Sequence, residues 1–287
     1  NELRSSLGEG AAKLPIIVAD SMDQPALEDM CKKSRVIVST VGPYVLYGET
    51  LVKVCAENGN DYCDLTGEAY WIKQMILKYE KTAKKSGARI VNCCGFDSIP
   101  SDLGNHFLQR EGKKQFGKYF NQVRLRVKAM KGGASGGTIA SMAEMIVAAK
   151  ADPQVRREMA NPYILCPEKH SYSIKQTSVK GPTYDSDFGS WSAPFIMKAI
   201  NARVVLRSNT LRRMAFGKDF SYGEAMLTGA GNGGRIKAIA LTAGLAAFAG
   251  SMILDPIRNL MNKFVLPKPG EGPSLQDQLN GFFDIEL

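Results

Sequence analysis

The chain has 287 residues, 44% of them hydrophobic and 23% charged, an ordinary globular composition with room for one large domain or two of usual size, which excludes a disordered chain. Its net charge is +9 at neutral pH, but Lys and Arg come in short groups (CKKSR, KTAKKSGAR, REGKKQFGK, QVRR, LRR) with no zinc-finger spacing and no RNA-binding signature, so nucleic acid is not the expected partner. The groups read as solvated helix faces, and an anionic membrane surface or a phosphorylated ligand remains as a partner for the charge.

The opening, NELRSSLGEGAAKLP, has neither an initiator Met nor the apolar core of a signal peptide and reads as the interior of a longer chain. LPIIVAD, residues 14–20, is predicted to be a buried parallel strand ending in Asp20. SMDQPALEDMCKKS follows as a helix that Ser21 or Asp23 would cap, with lysines gathered at its C-terminal end. RVIVST, residues 35–40, is the next strand. YGETLVKVCAENG is a helix closed by Gly59, DYCDLTG a strand and loop, and AYWIKQMILKYEKTAKKSG a longer helix closed by Gly87. ARIVNCCGFDSIPSDLG is a strand running into a loop and a helix start. Four alternations of strand and helix predict an α/β domain, a doubly wound parallel sheet of Rossmann type with helices on both faces. Ligands of such sheets sit outside the carboxyl ends of the strands. Three glycine-bearing loops, 41–44, 64–68 and 95–100, lie at those ends and are expected to face one crevice.

After about Phe107 the texture changes. NQVRLRVKAMKGG alternates like a half-exposed strand, ASGGTIASMAEMIVAAK is a glycine loop opening a helix, NARVVLRSN is strand-like, and GFFDIEL is a final strand. We expect a first domain over residues 1–106 and a mixed α+β domain over 107–287. Residues 238–254, AIALTAGLAAFAGSMIL, are uncharged and rich in small side chains; a buried helix, a helix lying on a membrane and a membrane span all fit them. The six cysteines (31, 55, 63, 93, 94 and 166) form no CxxC pair and sit mostly in apolar runs, the pattern of free thiols in a reducing intracellular compartment. His106 and His170 are isolated, so no metal site is expected.

Four stretches in order, VGPYVLYGE, CGFDSIPSDLG, GGASGGTIASM and APFIMKAINARVVLRSN, resemble the saccharopine dehydrogenase-like oxidoreductases, and the last two resemble especially the branch that includes trans-acting enoyl reductases of lipid synthesis. The resemblance runs from about residue 16 to residue 287. It implies a dinucleotide-binding domain followed by a substrate and dimerisation domain, NADP or NAD as cofactor, a lipid-like or acyl-thioester substrate, and a homodimer. The family's GxxGxxG phosphate loop would lie before Asn1, and its chains continue past Leu287. The alternative is a non-catalytic member, a scaffold or membrane-associated subunit of a larger assembly that retains the fold. True saccharopine reductases carry a Pro-Gly-x-Asp-His segment where this chain has Ser98, Ile99, Pro100, Ser101 and Asp102, which argues against an amino-diacid substrate.

Several residues are thereby candidates, each beside a purely structural reading. By the resemblance, Asp20 would contact the adenine edge; it could equally cap the next helix. Thr40, Val41, Gly42, Pro43 and Tyr44, with Gly95 and Phe96, would line the cofactor, Gly42 letting backbone approach and Pro43 stiffening the turn; the other reading is a plain turn. Asp97 and Tyr47 are the candidate polar partners for catalysis. Asp64 and Glu68 could do acid/base work or serve capping with Thr66. Ser135, Gly136, Gly137 and Thr138 could present helix amides to a substrate phosphate or carboxylate, or could make a tight strand-to-helix connection. Trp191, Pro194, Phe195 and Met197 fit either an apolar acyl pocket or core packing.

Overall fold

A computed structural model describes residues 7–11, 13–133, 135–268 and 270–287. The readings for the first six residues and for Ala134 of the glycine loop lie outside the described residues. Helix α1 (Gln24–Cys31) begins where Asp23 Oδ1 accepts the Ala26 N–H at 3.2 Å, with Pro25 in its first turn; Asp23, rather than Ser21, is the cap. Strands β1 (Val36–Ser39), β2 (Asp61–Asp64) and β3 (Ile90–Val91) pair in parallel in that order. The short helix α2 (Tyr44–Tyr47) and α3 (Glu49–Asn58) connect β1 to β2, and α4 (Ala69–Ser86) connects β2 to β3. Both longer helices stop at glycines in the left-handed region, Gly59 at φ +80° and Gly87 at φ +85°, where a side chain would be strained.

The parallel α/β sheet is thus present, and its strands alternate in burial. Ile37 and Tyr62 point into a core with Val52, Val54, Cys55, Trp71, Ile72 and Met75 from α3 and α4. On the other face Val36, Val38 and Val91 are at least half exposed, so among the described residues helices α1, α3 and α4 serve one face. Residues 14–20 depart from the sequence reading: they join neither sheet, and Val18 is 93% exposed. An apolar run becomes a strand only beside a ladder partner, and the described ladder of β1 is with β2 alone.

Helix α5 (Ile99–Phe116) runs unbroken through the expected domain boundary at 106/107. It leads to β4 (Gln122–Lys131), then α6 (Gly136–Ala151), α7 (Pro153–Ala160), β5 (Thr183–Asp185), β6 (Ser190–Pro194), α8 (Lys198–Leu211), β7 (Ser221–Gly229), α9 (Gly231–Ile253), α10 (Asp255–Phe264), α11 (Leu275–Leu279) and β8 (Phe282–Glu286). The second sheet has the order β5-β6-β7-β4-β8, with β4 and β7 parallel and the other neighbours antiparallel. Across it, Arg126 of β4 reaches Asp185 of β5 through a 2.7 Å ion pair with both side chains 6% exposed. NARVVLRSN, strand-like in sequence, belongs to α8. Its β-branched pair mimics a strand, but the buried positions Ile200, Asn201, Val205 and Asn209 follow the helical period. Residues 238–254 lie in α9 and the turn after it, and 11% of the 18-residue apolar window in α9 is buried among the described residues.

The two sheets share packing. Ile164, Leu165 and Ile200 enter the core of the first sheet, Ser98 Oγ donates to Asn201 Oδ1 at 3.0 Å, and Ser208 Oγ donates to Asp102 Oδ2 at 2.9 Å. Close approach also fixes the α2–α3 corner. A Cβ on Gly48 would stand 2.6 Å from Trp71 Cζ2 and 2.9 Å from Tyr44 O. Gly48→Ala is therefore expected to lower the unfolding free energy by about 1–3 kcal/mol, read as a fall in the urea midpoint. An unchanged midpoint would show that this corner is loosely packed.

Candidate functional site

The loops after β1, β2 and β3 meet at the carboxyl ends of the strands, and two buried carboxylates hold them there. Asp64 ends β2 fully buried. Its Oδ1 accepts the N–H groups of Thr66 at 3.1 Å and Cys93 at 3.0 Å, and its Oδ2 accepts from Asn92 Nδ2 at 2.7 Å and Tyr62 OH at 3.0 Å. Burial raises its carboxyl above the usual range, and the four donors work against that rise. Cys93 sits at φ +60°, a left-handed conformation that disfavours an L residue by roughly 1–2 kcal/mol; the Asp64 bond to its N–H helps to hold it there.

Glu68, 1% exposed, reaches back to the first loop. Its Oε1 accepts the Tyr44 N–H and its Oε2 the Val45 N–H, both at 2.8 Å, and Ser141 Oγ of α6 donates to Oε1 at 2.6 Å. The carboxylate thus satisfies two amides at the start of α2. Thr66 Oγ1 accepts the Glu68 N–H at 3.1 Å. Asp64 and Glu68, weighed above as an acid/base pair, are sequestered and occupied by loop-building bonds.

The candidate cofactor residues divide accordingly. Thr40 and Val41 are exposed at the crevice lip, and Gly42 lies against the Tyr44 ring and Ser141, with a Cβ there meeting Tyr44 Cε2 at 3.4 Å. Pro43 and Tyr44, read with them as cofactor residues, are buried behind that lip. Tyr44 OH donates to Ser39 O at 3.0 Å and accepts the Leu65 N–H at 3.2 Å, while the ring meets Trp71 at 5.5 Å. Burial pushes its phenol up to about 12. A Cβ on Gly95 would stand 3.2 Å from Leu65 Cδ2, so glycine lets the second and third loops touch. Phe96 is exposed on one side and meets Phe283 of β8 edge-on, centroids 4.4 Å apart. Val41, Leu65 and Phe96 are exposed apolar side chains, one in each of the three loops.

Asp97 follows in the third loop with an exposed side chain; the protein around it still raises its carboxyl by desolvation. Tyr47 closes α2 and is exposed. Asp20 is exposed, and its Oδ1 accepts the Met22 N–H at 2.8 Å in the turn before α1, a local capping bond. At the start of α6, Ser135 Oγ accepts the Thr138 N–H at 3.3 Å and the Gly136 N–H donates to Glu271 O at 2.9 Å. A Cβ on Gly136 would lie 1.8 Å from Lys268 O. The glycine loop therefore lets Pro267 and Lys268 pass close to the helix start, and two of its amides are internally engaged.

Two cavities lie beside α8, and the first of them reaches the third loop at Cys93, Cys94 and Ser98. One of about 370 Å³ runs along the free edge of β3 between α4 and α8, with largely apolar walls. The other, of about 290 Å³, lies between α7 and α8 and is lined by Pro194, Phe195, Ile196, Lys198, Arg203 and Glu224. Pro194 and Phe195 line this mixed polar and apolar cavity, and Phe195 also packs on the core of the second sheet. Trp191 instead stacks edge-on with Tyr184, and Met197 packs on the core of the first sheet. Lys198, Arg203 and Glu224 were not candidates from sequence. The available signal was two cations within the apolar stretch APFIMKAINARVV, on a segment read as a strand. Among the described residues no group of three His, Cys, Asp or Glu side chains is placed to hold a metal ion.

The model of the saccharopine dehydrogenase NADP-binding domain matches residues 5–91. A protein of Mycobacterium tuberculosis strain H37Rv, provisionally named a trans-acting enoyl reductase, is 38% identical over 301 residues, covering 99% of this chain and 70% of its own. The trans-acting enoyl reductase of Mycobacterium ulcerans strain Agy99 is 35% identical over 296 residues with the same coverage, and that of Mycobacterium bovis BCG is 35% identical over 293. No solved structure matches the chain significantly.

Replacing Glu68 tests the architecture of the crevice. Glu68→Ala leaves two amides without their acceptor at about 1–3 kcal/mol each, so a loss of about 2–6 kcal/mol is expected in urea unfolding, with Glu68→Gln losing less. Wild-type stability in Glu68→Ala would mean that water caps α2 equally well.

Proposed function

Because the chain belongs to the saccharopine dehydrogenase-like family, in the branch of the trans-acting enoyl reductases, we propose that it is an NAD(P)H-dependent oxidoreductase of enoyl reductase type. Its substrate is an α,β-unsaturated acyl thioester, whose C=C bond becomes a single bond. The observation that carries this reading is the crevice at the carboxyl ends of three parallel strands, inside the segment that the dinucleotide-binding model matches. When bound, the reduced dinucleotide supplies the hydride for the β-carbon of the enoyl group.

The chain's own part is placement, exclusion of water and delivery of a proton to the α-carbon. Thr40, Val41, Gly42, Gly95 and Phe96 form the holding surface. Asp97 is the proposed proton source, because a carboxyl raised by desolvation keeps its proton to higher pH than an ordinary aspartate. The Tyr47 hydroxyl is the second polar partner. A homodimer and a lipid-like acyl group complete the proposal.

Oxidation of NADPH or NADH, stoichiometric with a trans-2-enoyl thioester, is the expected outcome in a spectrophotometric assay. Asp97→Asn should lower kcat by about 10²-fold with little change in KM. No oxidation of either nucleotide with any acyl chain length would sink the reading, and full activity of Asp97→Asn would remove Asp97 from it.

One observation favours a membrane location beside this activity. Helix α9 is long enough to cross a bilayer yet mostly exposed, and Ile253, Leu260, Phe264 and Val265 on and beside α10 are exposed as well. We propose that this pair of helices lies on an anionic bilayer, with Arg235, Lys237 and Lys263 towards the headgroups. The chain should float with phosphatidylcholine/phosphatidylserine vesicles, and Leu260→Asp with Phe264→Asp should abolish flotation. A wild-type chain that stays in the bottom fraction would overturn the location and leave the activity standing.

A further inference from the structure

The 290 Å³ cavity is lined by two cations, Lys198 and Arg203, and one carboxylate, Glu224. Arg203 is fixed by donation to Met159 O, near the end of α7, and Lys198 stands in the first turn of α8. Among the described residues neither has a carboxylate within ion-pair distance. Glu224 also lines the cavity, but its oxygens are turned to Tyr222 OH at 2.7 Å and Asn201 Nδ2 at 3.1 Å. Burial lowers the affinity of both cations for their protons; the Arg203 charge adds to the effect on Lys198 and Glu224 works against it. Two like charges held partly out of water beside a single carboxylate are costly. The cost is offset when an anion enters beside them, and the opening is large enough for one.

A chain of hydrogen bonds links the wall of the cavity to the crevice. Ser98, next to Asp97, donates to Asn201, and Asn201 donates to Glu224. A ligand in the cavity is therefore one short polar chain away from the loop that carries the proposed proton source. Pro194, Phe195 and Ile196 give the cavity an apolar wall, suited to an amphipathic molecule rather than to a free inorganic ion.

A thioester has no free carboxylate. The negative group on an acyl thioester carried by a pantetheine arm is the phosphate at the far end of that arm. We propose that Lys198 and Arg203 bind this phosphate, and that the cavity anchors the carrier while the acyl group reaches the crevice; the assignment of the phosphate to a thioester carrier rests on the enoyl reductase reading. Lys198 and Arg203 would then be specificity residues, acting on binding of the carrier and not on the reacting carbons.

The test uses 4′-phosphopantetheine and pantetheine, titrated calorimetrically into the full chain with NADPH present so that the cofactor crevice is not the site measured. The phosphorylated arm should bind at least about tenfold tighter, about 1.4 kcal/mol. That preference should fall to about one in Lys198→Met and in Arg203→Met and persist in Lys198→Arg, with thermal melts confirming that the variants fold. Equal binding of the two arms by wild type, or an undiminished preference in both methionine variants, would overturn the proposal. A phosphate preference in a protein that never oxidises NAD(P)H would keep the anion site and remove the enoyl reductase reading. Enoyl reduction without a phosphate preference would do the reverse.

Discussion

The burial of Asp64 is the constraint on which the crevice depends. One carboxylate at the end of β2 takes four donors, from its own strand, from the loop that follows and from the loop after β3. A buried carboxylate is tolerable only when its lone pairs are filled, so the position of each donor is set by the need of one acceptor. Glu68, four residues on, extends the same logic to the loop after β1 and to Ser141 of α6. The three loops are thereby referred to one another before any ligand is considered. Residues that sequence offers as chemistry turn out to be the frame, and the chemistry is left to side chains at its lip.

This explains which parts of the molecule were legible. The alternation of strand and helix, the stops at Gly59 and Gly87, β4 and β8 all follow from local pattern, because hydrophobic period and left-handed glycine are local facts. LPIIVAD and NARVVLRSN misled for one reason: an apolar β-branched run states a preference, and the environment decides whether it is a strand, a surface segment or a helix. Tyr44 could not be separated from Thr40 and Val41 by reading, since all belong to one loop. Only the contact with Trp71 and the bonds to Ser39 and Leu65 show that its ring faces the core. Lys198 and Arg203 became visible only when α7 and α8 were placed side by side.

The junction between the two sheets combines polar and apolar contacts. Ser98, Asn201, Glu224 and Tyr222 form one buried chain, flanked by the Asp102–Ser208 bond and by Ile164, Leu165 and Ile200. Such a chain fixes relative position more sharply than apolar contact, because a slip of one side chain strands a buried donor or acceptor. The helix that crosses the expected domain boundary, α5, starts at Ile99, directly after Ser98. The third crevice loop, the start of the boundary helix and the wall of the cation-lined cavity are therefore linked by one chain of hydrogen bonds.

Gly136 has a reach out of proportion to its size. The carbonyl of Lys268 occupies the space its side chain would need, and the chain that passes there goes on through α11 to β8, whose Phe283 touches Phe96 at the crevice. A single missing methyl group therefore acts as the notch that seats a strap. Everything the strap carries, from the last strand of the second sheet to the ring beside the crevice lip, takes its alignment from that notch.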